Sequence, residues 1–577
     1  MTRAGTRSPL PPRRTLPATV VDDTVAAAAV LLDKWHPEDS SSDRSLFLDS
    51  TTPDEADAFL RAAKDLHRAM LFYASGLTSK DLHGGGHGLI HAQELLDTAM
   101  RRLELELQIL LSCLPDVIQF NQYDNDDEDE NVDDDQSLLT ETCGHLRAVA
   151  EAMLAAGYGK ECVAVFKEHR RASVAAALQR LHGFSPSQQL ATINKLAWEQ
   201  IDARLQSWLA GARPAFASVF AGERDLCDRV FAGEHASVGD AVFSAVAEDQ
   251  AMSILAFAEA AVAKAKRAPE RLFRMLDVHD ALTETIIPAI VATFGEKSEL
   301  MFRAAELAVA KVGDTVRGMV AGFEAAIEKE PTKATAPGGA VHPLTRYVMN
   351  YLVVLADYEN ALANIYSAEQ YTDTTDIGLG SGTAGSSSSD LSMASTSSFS
   401  SSSTQRTLSL WSNPIGWLVS VLMRKLDAKA GNYREAALSY LFLANNTHYV
   451  AKKVGGGTKL EAVLGEDWAK AQRAKARSYV DVYVRSAWGS KVLRGGAVDK
   501  AVIEAVAMQE TWVAADEEMG EVLRAVARAA VVPTYRMFYR RQGAAARLTP
   551  GDVIGMIDRL FGGQTSRSHS NSLSSTY

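Results

Sequence analysis

Apolar positions recur along this chain with a period near 3.6, the spacing of a helix that buries one face. Met100, Leu103, Leu107, Leu110 and Leu111 make one stripe, with Glu104 and Glu106 off it. Ile415, Leu418, Val419, Leu422 and Leu426 make another, opened by Asn413 as an N-cap and Pro414 at the first helical position. His342-Pro343 opens a third, which carries Leu344, Tyr347, Val348, Tyr351, Leu352 and Leu355. The last starts at Thr549-Pro550, with Asp552 in the first turn, where the helix dipole favours an acid. Its face is Val553, Met556, Ile557, Leu560 and Phe561. Strand-like alternation is nearly absent. Helices of this kind, joined by short polar turns, predict an all-α protein of consecutive antiparallel helical bundles. No repeat of fixed period is present.

Two stretches interrupt the pattern. Nine acids crowd into Asp124 to Asp135, and like charges that dense repel and stay solvated. The segment 372–404 is rich in Ser, Thr and Gly and has too little apolar surface to offset the entropy of ordering. The expected organisation is a disordered arm over 1–18, N-terminal helices over 19–120 and an acidic loop over 121–136. Middle bundles over 137–330, a central helix region over 331–371 and the Ser/Gly-rich insert over 372–404 follow. A basic helical bundle over 405–562 and a disordered tail over 563–577 complete it. The first residues hold Arg3, Arg7, Arg13 and Arg14 without an acid, as an organelle transit peptide does, but the prolines at 9, 11, 12 and 17 oppose the amphipathic helix such a peptide needs.

Composition changes the picture in one respect. Of 577 residues, 47% are hydrophobic and 23% charged, ordinary for a folded chain. No window reaches the roughly 20 apolar residues that span a bilayer, so membrane contact should be peripheral. Net charge is −13, yet residues from Gln405 onward carry 24 Lys and Arg against 15 Asp and Glu, a net of +9, which leaves −22 before them. A basic end on an acidic protein attracts anionic lipid or an acidic protein face. Nucleic acid fits less well, since no recognition motif or interleaved aromatic platform accompanies the basic residues. Lys470, Arg473 and Arg477 share a helix face at i, i+3 and i+7, after Lys452, Lys453 and Lys459. Arg540, Arg541 and Arg547 precede the last helix. Each basic residue near an anionic leaflet contributes about 1 kcal/mol, so Lys470, Arg473, Arg477, Arg540, Arg541 and Arg547 are the candidate lipid-binding residues.

Signs of catalysis do not hold up. Gly380-x-Gly382-x-x-Gly385 sits in low-complexity text, without the strand before and helix after that a dinucleotide site needs. The stretch from Gly455 to Lys459 is a turn rather than a phosphate loop. His83, His87 and His91 would align only on a continuous helix, and Gly84, Gly85, Gly86 and Gly88 argue instead for a loop leading into a helix near Leu89. Cys113, Cys143, Cys162 and Cys227 fit no zinc or redox spacing and are expected to be buried free thiols in a reducing compartment. Asn445-Asn-Thr447 is a glycosylation sequon that matters only in the secretory lumen. No cofactor, metal or catalytic residue is expected.

Several blocks resemble one known family. Gly338 to Tyr358, GGAVHPLTRYVMNYLVVLADY, is similar to the central helix of the seventy-kilodalton exocyst subunit. Trp35, Phe47, the run Ala58-Phe-Leu and Asp65-Leu66 resemble its N-terminal pattern in plants. Met153 to Arg170, the stretch from Trp198 to ERDLCDRVF ending at Phe231, and Leu272 to Ile290 resemble successive middle blocks. LFLANNTHYV over 441–450, the block from GEDW to RSAWGSKV over 464–492 and IDRLFGG ending at Gly563 resemble the C-terminal ones. The resemblance implies an elongated rod of helical bundles without catalysis, cytoplasmic and peripheral at the plasma membrane. It implies a tether for secretory vesicles during exocytosis, working with other exocyst subunits, phosphoinositides and Rho-type GTPases. In the family, paired lysines before the last helix bind lipid. Their places fall here at Ala544 and Arg547, one of them not basic. Some plant members look specialised as immune adaptors or as targets of pathogen effectors, which is the alternative reading.

Overall fold

A computed structural model describes residues 18–37, 44–49, 54–76, 85–114, 132–183, 185–265, 268–375, 413–489 and 498–561. The arm, most of the acidic run, the insert beyond Thr375, the glycine fingerprint and the tail lie outside them. The chain forms two compact units, one of residues 1–265 with 277–312 and the other of residues 266–276 with 313–577. Among the described residues every regular element is helical.

The first unit starts with α1 (Ala18–Lys34), α2 (Asp54–Gly76), α3 (Gly85–Cys113) and α4 (Val132–Ala155). Next come α5 (Gly159–His182), α6 (Pro186–Leu190), α7 (Trp198–Pro214), α8 (Ala221–Val230) and α9 (Ala236–Ala263). After the start of α10 (Leu272–Asp280) it resumes and includes α11 (Ile287–Phe294) and the first half of α12 (Glu299–Lys329). The α3 stripe is buried as its spacing requires. Glu106 is the exception to the expected pattern: it is fully buried and pairs with Arg102 at 3.1 Å. It also accepts from the Leu46 amide at 2.8 Å and from the Ser45 hydroxyl, which pins the short segment 44–49 onto α3. The Arg44 and Arg102 guanidiniums each stand 5.3 Å from the centre of the Trp35 ring, whose N–H donates to Glu55. Helix α3 begins at Gly85, four residues before the expected start. Gly88 packs so close to the Tyr73 ring that an added Cβ would stand 3.0 Å from it, and that contact offsets the poor helix propensity of the glycines.

Two further expectations are corrected in this unit. Cys113 is exposed, at the last turn of α3, while Cys143, Cys162 and Cys227 are buried and free. The stretch 233–263 is long and apolar enough to cross a membrane by length and composition, although half of that window is buried in the fold. Alanine-rich α9 contacts α5, α6, α7 and α8 and so buries several faces, with few polar positions left over.

A buried pair joins two of the blocks singled out in the sequence. Arg170 on α5 donates to Glu223 on α8, Nε at 3.2 and 3.1 Å and Nη2 at 2.6 Å, with both side chains buried. Beside it Phe166 meets Phe231 edge to face at 5.2 Å. Trp208 is fully buried and donates to the Ile254 carbonyl. His182 is buried at the end of α5. Burial pushes its pKa down to about 4, against a smaller opposing hydrogen bond with the Ser207 backbone. The folded pKa lies below the unfolded value near 6.5, so between about pH 6.5 and 4 the unfolded chain binds the extra proton and stability falls as pH falls. His182 alone should remove about 2 kcal/mol between pH 7 and 5. Urea unfolding followed by tryptophan fluorescence should show His182→Leu losing less stability over that interval than the parent. Equal losses would mean that His182 does not titrate this way.

The second unit holds α13 (Pro343–Leu355), α14 (Glu359–Thr375), α15 (Pro414–Ala430) and α16 (Ala436–Val454). It continues through α17 (Lys459–Leu464), α18 (Glu466–Val484), α19 (Val498–Gln509), α20 (Glu517–Gln542) and α21 (Pro550–Asp558). The expected caps are present: Asn413 accepts from the Ile415 amide, and Thr549 and Asp552 form a reciprocal capping box. His342 caps α13 through its ring, accepting from the Leu344 amide at 3.1 Å. The buried face of α13 is rotated from the expected one. It comprises Thr345, Val348, Met349, Leu352 and Leu355, while Tyr347 is exposed. Thr345 turns inward because its hydroxyl donates to Asn446 Oδ1 at 2.7 Å. Gly338 and Gly339 adopt φ of 64° and 73°, which side chains resist, and Gly338 passes the 511–513 segment so closely that its carbonyl accepts from the Val513 amide.

Candidate functional site

The six basic residues divide into two groups. Arg540 and Arg541 are exposed in the last turn of α20, where cations also complement the helix dipole, as Glu517 and Glu518 do at the other end. The chain then turns through Gly543–Ala545 and returns to α21. That return is fixed from inside: Tyr535 donates to Asp499 and to the Leu548 carbonyl, and the Arg547 amide donates to Asp499 Oδ2 at 2.8 Å. Arg547 keeps its own side chain exposed. Arg540, Arg541 and Arg547 thus stand together around one turn. Ala544 lies within that turn.

Lys470, Arg473 and Arg477 lie on α18. Lys470 is neutralised locally by Glu466 at 2.9 Å, with Asp467 at 4.0 Å. Arg473 and Arg477 face a cleft of about 420 Å³ between α16, α18 and the first turns of α20. Its other walls are Ala451, Gly455, Ala476, Val480, Met519 and Val522, with His448, Lys452 and Glu518 at the rim. Some 21 residues of helix separate Met519 from Arg540, roughly 30 Å at 1.5 Å per residue. The two arginine groups therefore sit toward opposite ends of α20 and do not form one patch.

Asp516 organises the rim. It caps α20 by accepting from the Met519 amide at 2.9 Å, and it accepts from Lys452 at 2.7 Å and from His448 at 3.2 Å. Burial acts to raise its pKa, but these hydrogen bonds outweigh it and hold the carboxyl at about 2. His448, Asp516 and Glu518 bring three ligand atoms within 4.8 Å of one another. Lys452 already supplies the cation there, with Glu518 at 3.4 Å. Sequence reasoning places Arg473 and Arg477 on one face but misses the apolar wall from Met519 and Val522, which comes from a helix 40 residues further on and leaves no local signal.

The remaining motifs are structural. The sequon asparagine Asn445 is fully buried and donates to the Gly339 and Val513 carbonyls, so no glycan fits there. Gly455 to Thr458 is the turn between α16 and α17, and Lys459 pairs with Asp357 at 3.4 Å.

Residues 24–113 match the family model for the N-terminal region of the exocyst complex component Exo70, and residues 206–493 match the model for the C-terminal region of the Exo70 exocyst complex subunit. Arg473 and Arg477 lie inside the second span, whereas Arg540, Arg541 and Arg547 lie beyond it. The chain is 31% identical over 517 residues to exocyst complex component EXO70B2 of Arabidopsis thaliana, covering 82% of this chain and 79% of that protein. It is 27% identical over 576 residues to EXO70B1 of the same plant, covering 89% and 86%. The S. cerevisiae exocyst component Exo70p has the same fold, with a TM-score of 0.60 at 12% identity over 94% of this chain and 100% of that one. A chain whose described elements are all helical, with two family regions in order and this similarity along most of its length, belongs to the Exo70 family of exocyst complex subunits.

Proposed function

We propose that the chain is a tethering subunit that helps dock secretory vesicles at the plasma membrane. The observation that carries this reading is the ordered family match over both the N-terminal and C-terminal regions. In this reading the helices before residue 120 join other exocyst subunits, and Arg540, Arg541 and Arg547 meet phosphoinositide-rich membrane. The protein is then cytoplasmic and peripheral, and capture rests on many weak contacts acting together. Three exposed arginines around one turn, on the part of the chain with net +9, support the membrane contact. Rho-type GTPases belong to this reading as partners through the family alone.

One experiment with two arms tests it. Co-purification should recover other exocyst subunits, and deletion of residues 19–120 should abolish recovery. If none of them is recovered with the full chain, the protein has left the complex and the immune-adaptor reading replaces this one. In the second arm, Arg540→Ala/Arg541→Ala/Arg547→Ala should weaken binding to phosphoinositide vesicles by roughly tenfold or more, at about 1 kcal/mol per residue. Binding by the parent should fall with added salt, because the Debye length is about 8 Å at physiological ionic strength. Ala544→Lys should strengthen it. Unchanged vesicle binding by the triple variant would remove the membrane from this end of the molecule.

A further inference from the structure

Lys452 is neutralised by Asp516 and Glu518. Among the described residues neither the Arg473 nor the Arg477 guanidinium forms a hydrogen bond or ion pair, and both line the cleft between α16, α18 and α20. A guanidinium is a planar fork whose best partner is a carboxylate. These two stand four residues apart on one helix, about one turn, which is the spacing of acids at i and i+4 on a facing helix. Between them and α20 the walls are Ala451, Ala476, Val480, Met519 and Val522, and Val522 is 40% exposed. Gly455 belongs to the same wall: an added Cβ would stand 2.8 Å from Arg473 Nη2, so the missing side chain makes room for that guanidinium at the end of α16.

We propose that this cleft is a docking site for an acidic amphipathic peptide segment of a partner protein. Carboxylates on the segment pair with Arg473 and Arg477, and an apolar side chain of it covers Val522, the one apolar wall residue that is substantially exposed. Charge complementarity selects the sign of the partner. The exposed face of Val522 in the cleft wall favours a peptide over a lipid headgroup, because a polyphosphate gains nothing from valine. Arg473 and Arg477 thereby leave the lipid-binding set expected from sequence and become protein-reading residues. The proposal goes beyond the tethering reading and does not depend on Arg540, Arg541 or Arg547.

The test uses the full chain and a fluorescein-labelled twelve-residue peptide with leucines on one helical face and glutamates on the other. Anisotropy should show saturable binding, and the same peptide with lysine in place of glutamate should not bind. Arg473→Ala/Arg477→Ala should weaken binding by about tenfold or more, as expected for a central charged contact. Val522→Glu, an exposed change that leaves the fold intact by circular dichroism, should weaken it comparably. The triple variant at Arg540, Arg541 and Arg547 should keep the peptide affinity of the parent, which separates this site from the membrane reading. The proposal is overturned if the glutamate peptide shows no saturation below about 1 mM. Equal affinity in the Arg473/Arg477 variant overturns it as well. If that variant instead loses phosphoinositide vesicles while peptide binding is unchanged, the two arginines belong to the membrane face.

Discussion

Glu223→Ala is expected to destabilise the first unit by about 3–5 kcal/mol, because it strands the Arg170 guanidinium in the interior without its anion. Arg170 is 2% exposed and directs three N–H···O contacts at Glu223; its other near partner is the Ser173 hydroxyl at 3.4 Å. The cost comes from an unpaired buried charge more than from the loss of a favourable pair. That distinction gives the control. Arg170→Met with Glu223→Leu removes both charges, and it should recover most of the loss seen with Glu223→Ala alone, since apolar replacement of a buried pair is often neutral. Urea unfolding followed by tryptophan fluorescence, to which the buried Trp208 of the same unit contributes, measures both variants. If Glu223→Ala costs less than about 1 kcal/mol, solvent reaches Arg170 and the pair is not buried in solution.

This pair explains what the sequence can and cannot show. Met153 to Arg170 and the block ending in ERDLCDRVF are recognisable as separate motifs, and the structure brings them together through Arg170, Glu223, Phe166 and Phe231. Helical periodicity is enough to find the stripes on α3 and α15 and the caps at Asn413 and Thr549, because those are local. It fails wherever a polar side chain is buried by a distant partner. Glu106 reads as a solvated residue because its partners at Ser45 and Leu46 are some sixty positions away. Thr345 does not read as part of the buried face of α13 because nothing in its own helix signals Asn446. The basic residues follow the same rule. Their exposure is legible from charge, but their division into an exposed turn and an apolar-walled cleft depends on how α20 packs beside α18.

Asn445 and Asn446 are the second place where one substitution should have a large effect. They are neighbours on α16, both fully buried; both bond the 338–342 segment, and Asn445 alone also bonds the 513–515 segment. Asn446 Oδ1 accepts from the His342 amide at 2.9 Å and from the Thr345 hydroxyl, and its amide donates to the Phe442 and Ala340 carbonyls. Asn445 donates to the Gly339 carbonyl at 2.7 Å and the Val513 carbonyl at 2.8 Å, and it accepts from the Ala515 amide at 2.9 Å. Together they hold the 338–342 segment and the 513–515 segment against one helix. Asn445→Ala should destabilise the second unit by about 3 kcal/mol, since each orphaned buried group costs on the order of 1–3 kcal/mol. Asn445→Asp is the sharper test. It keeps the size and the acceptor for Ala515 but turns a carboxylate toward two carbonyl oxygens. At neutral pH it should be worse than alanine. Its folded pKa must then lie above the unfolded value near 3.9, so the folded state binds a proton that the unfolded state releases. The penalty should shrink as pH falls through the raised folded pKa, because the protonated acid can donate once to a carbonyl. Denaturant unfolding of the three proteins at pH 7 and pH 5 reads this directly. If aspartate is as stable as asparagine at pH 7, the two carbonyls are not held against this side chain. Ala515 lies next to the α20 cap, Asp516, so a variant that frees the 513–515 segment should also weaken glutamate-peptide binding in the cleft. A variant that unfolds the segment yet keeps full peptide affinity would show that the cleft does not depend on Asn445 for its shape.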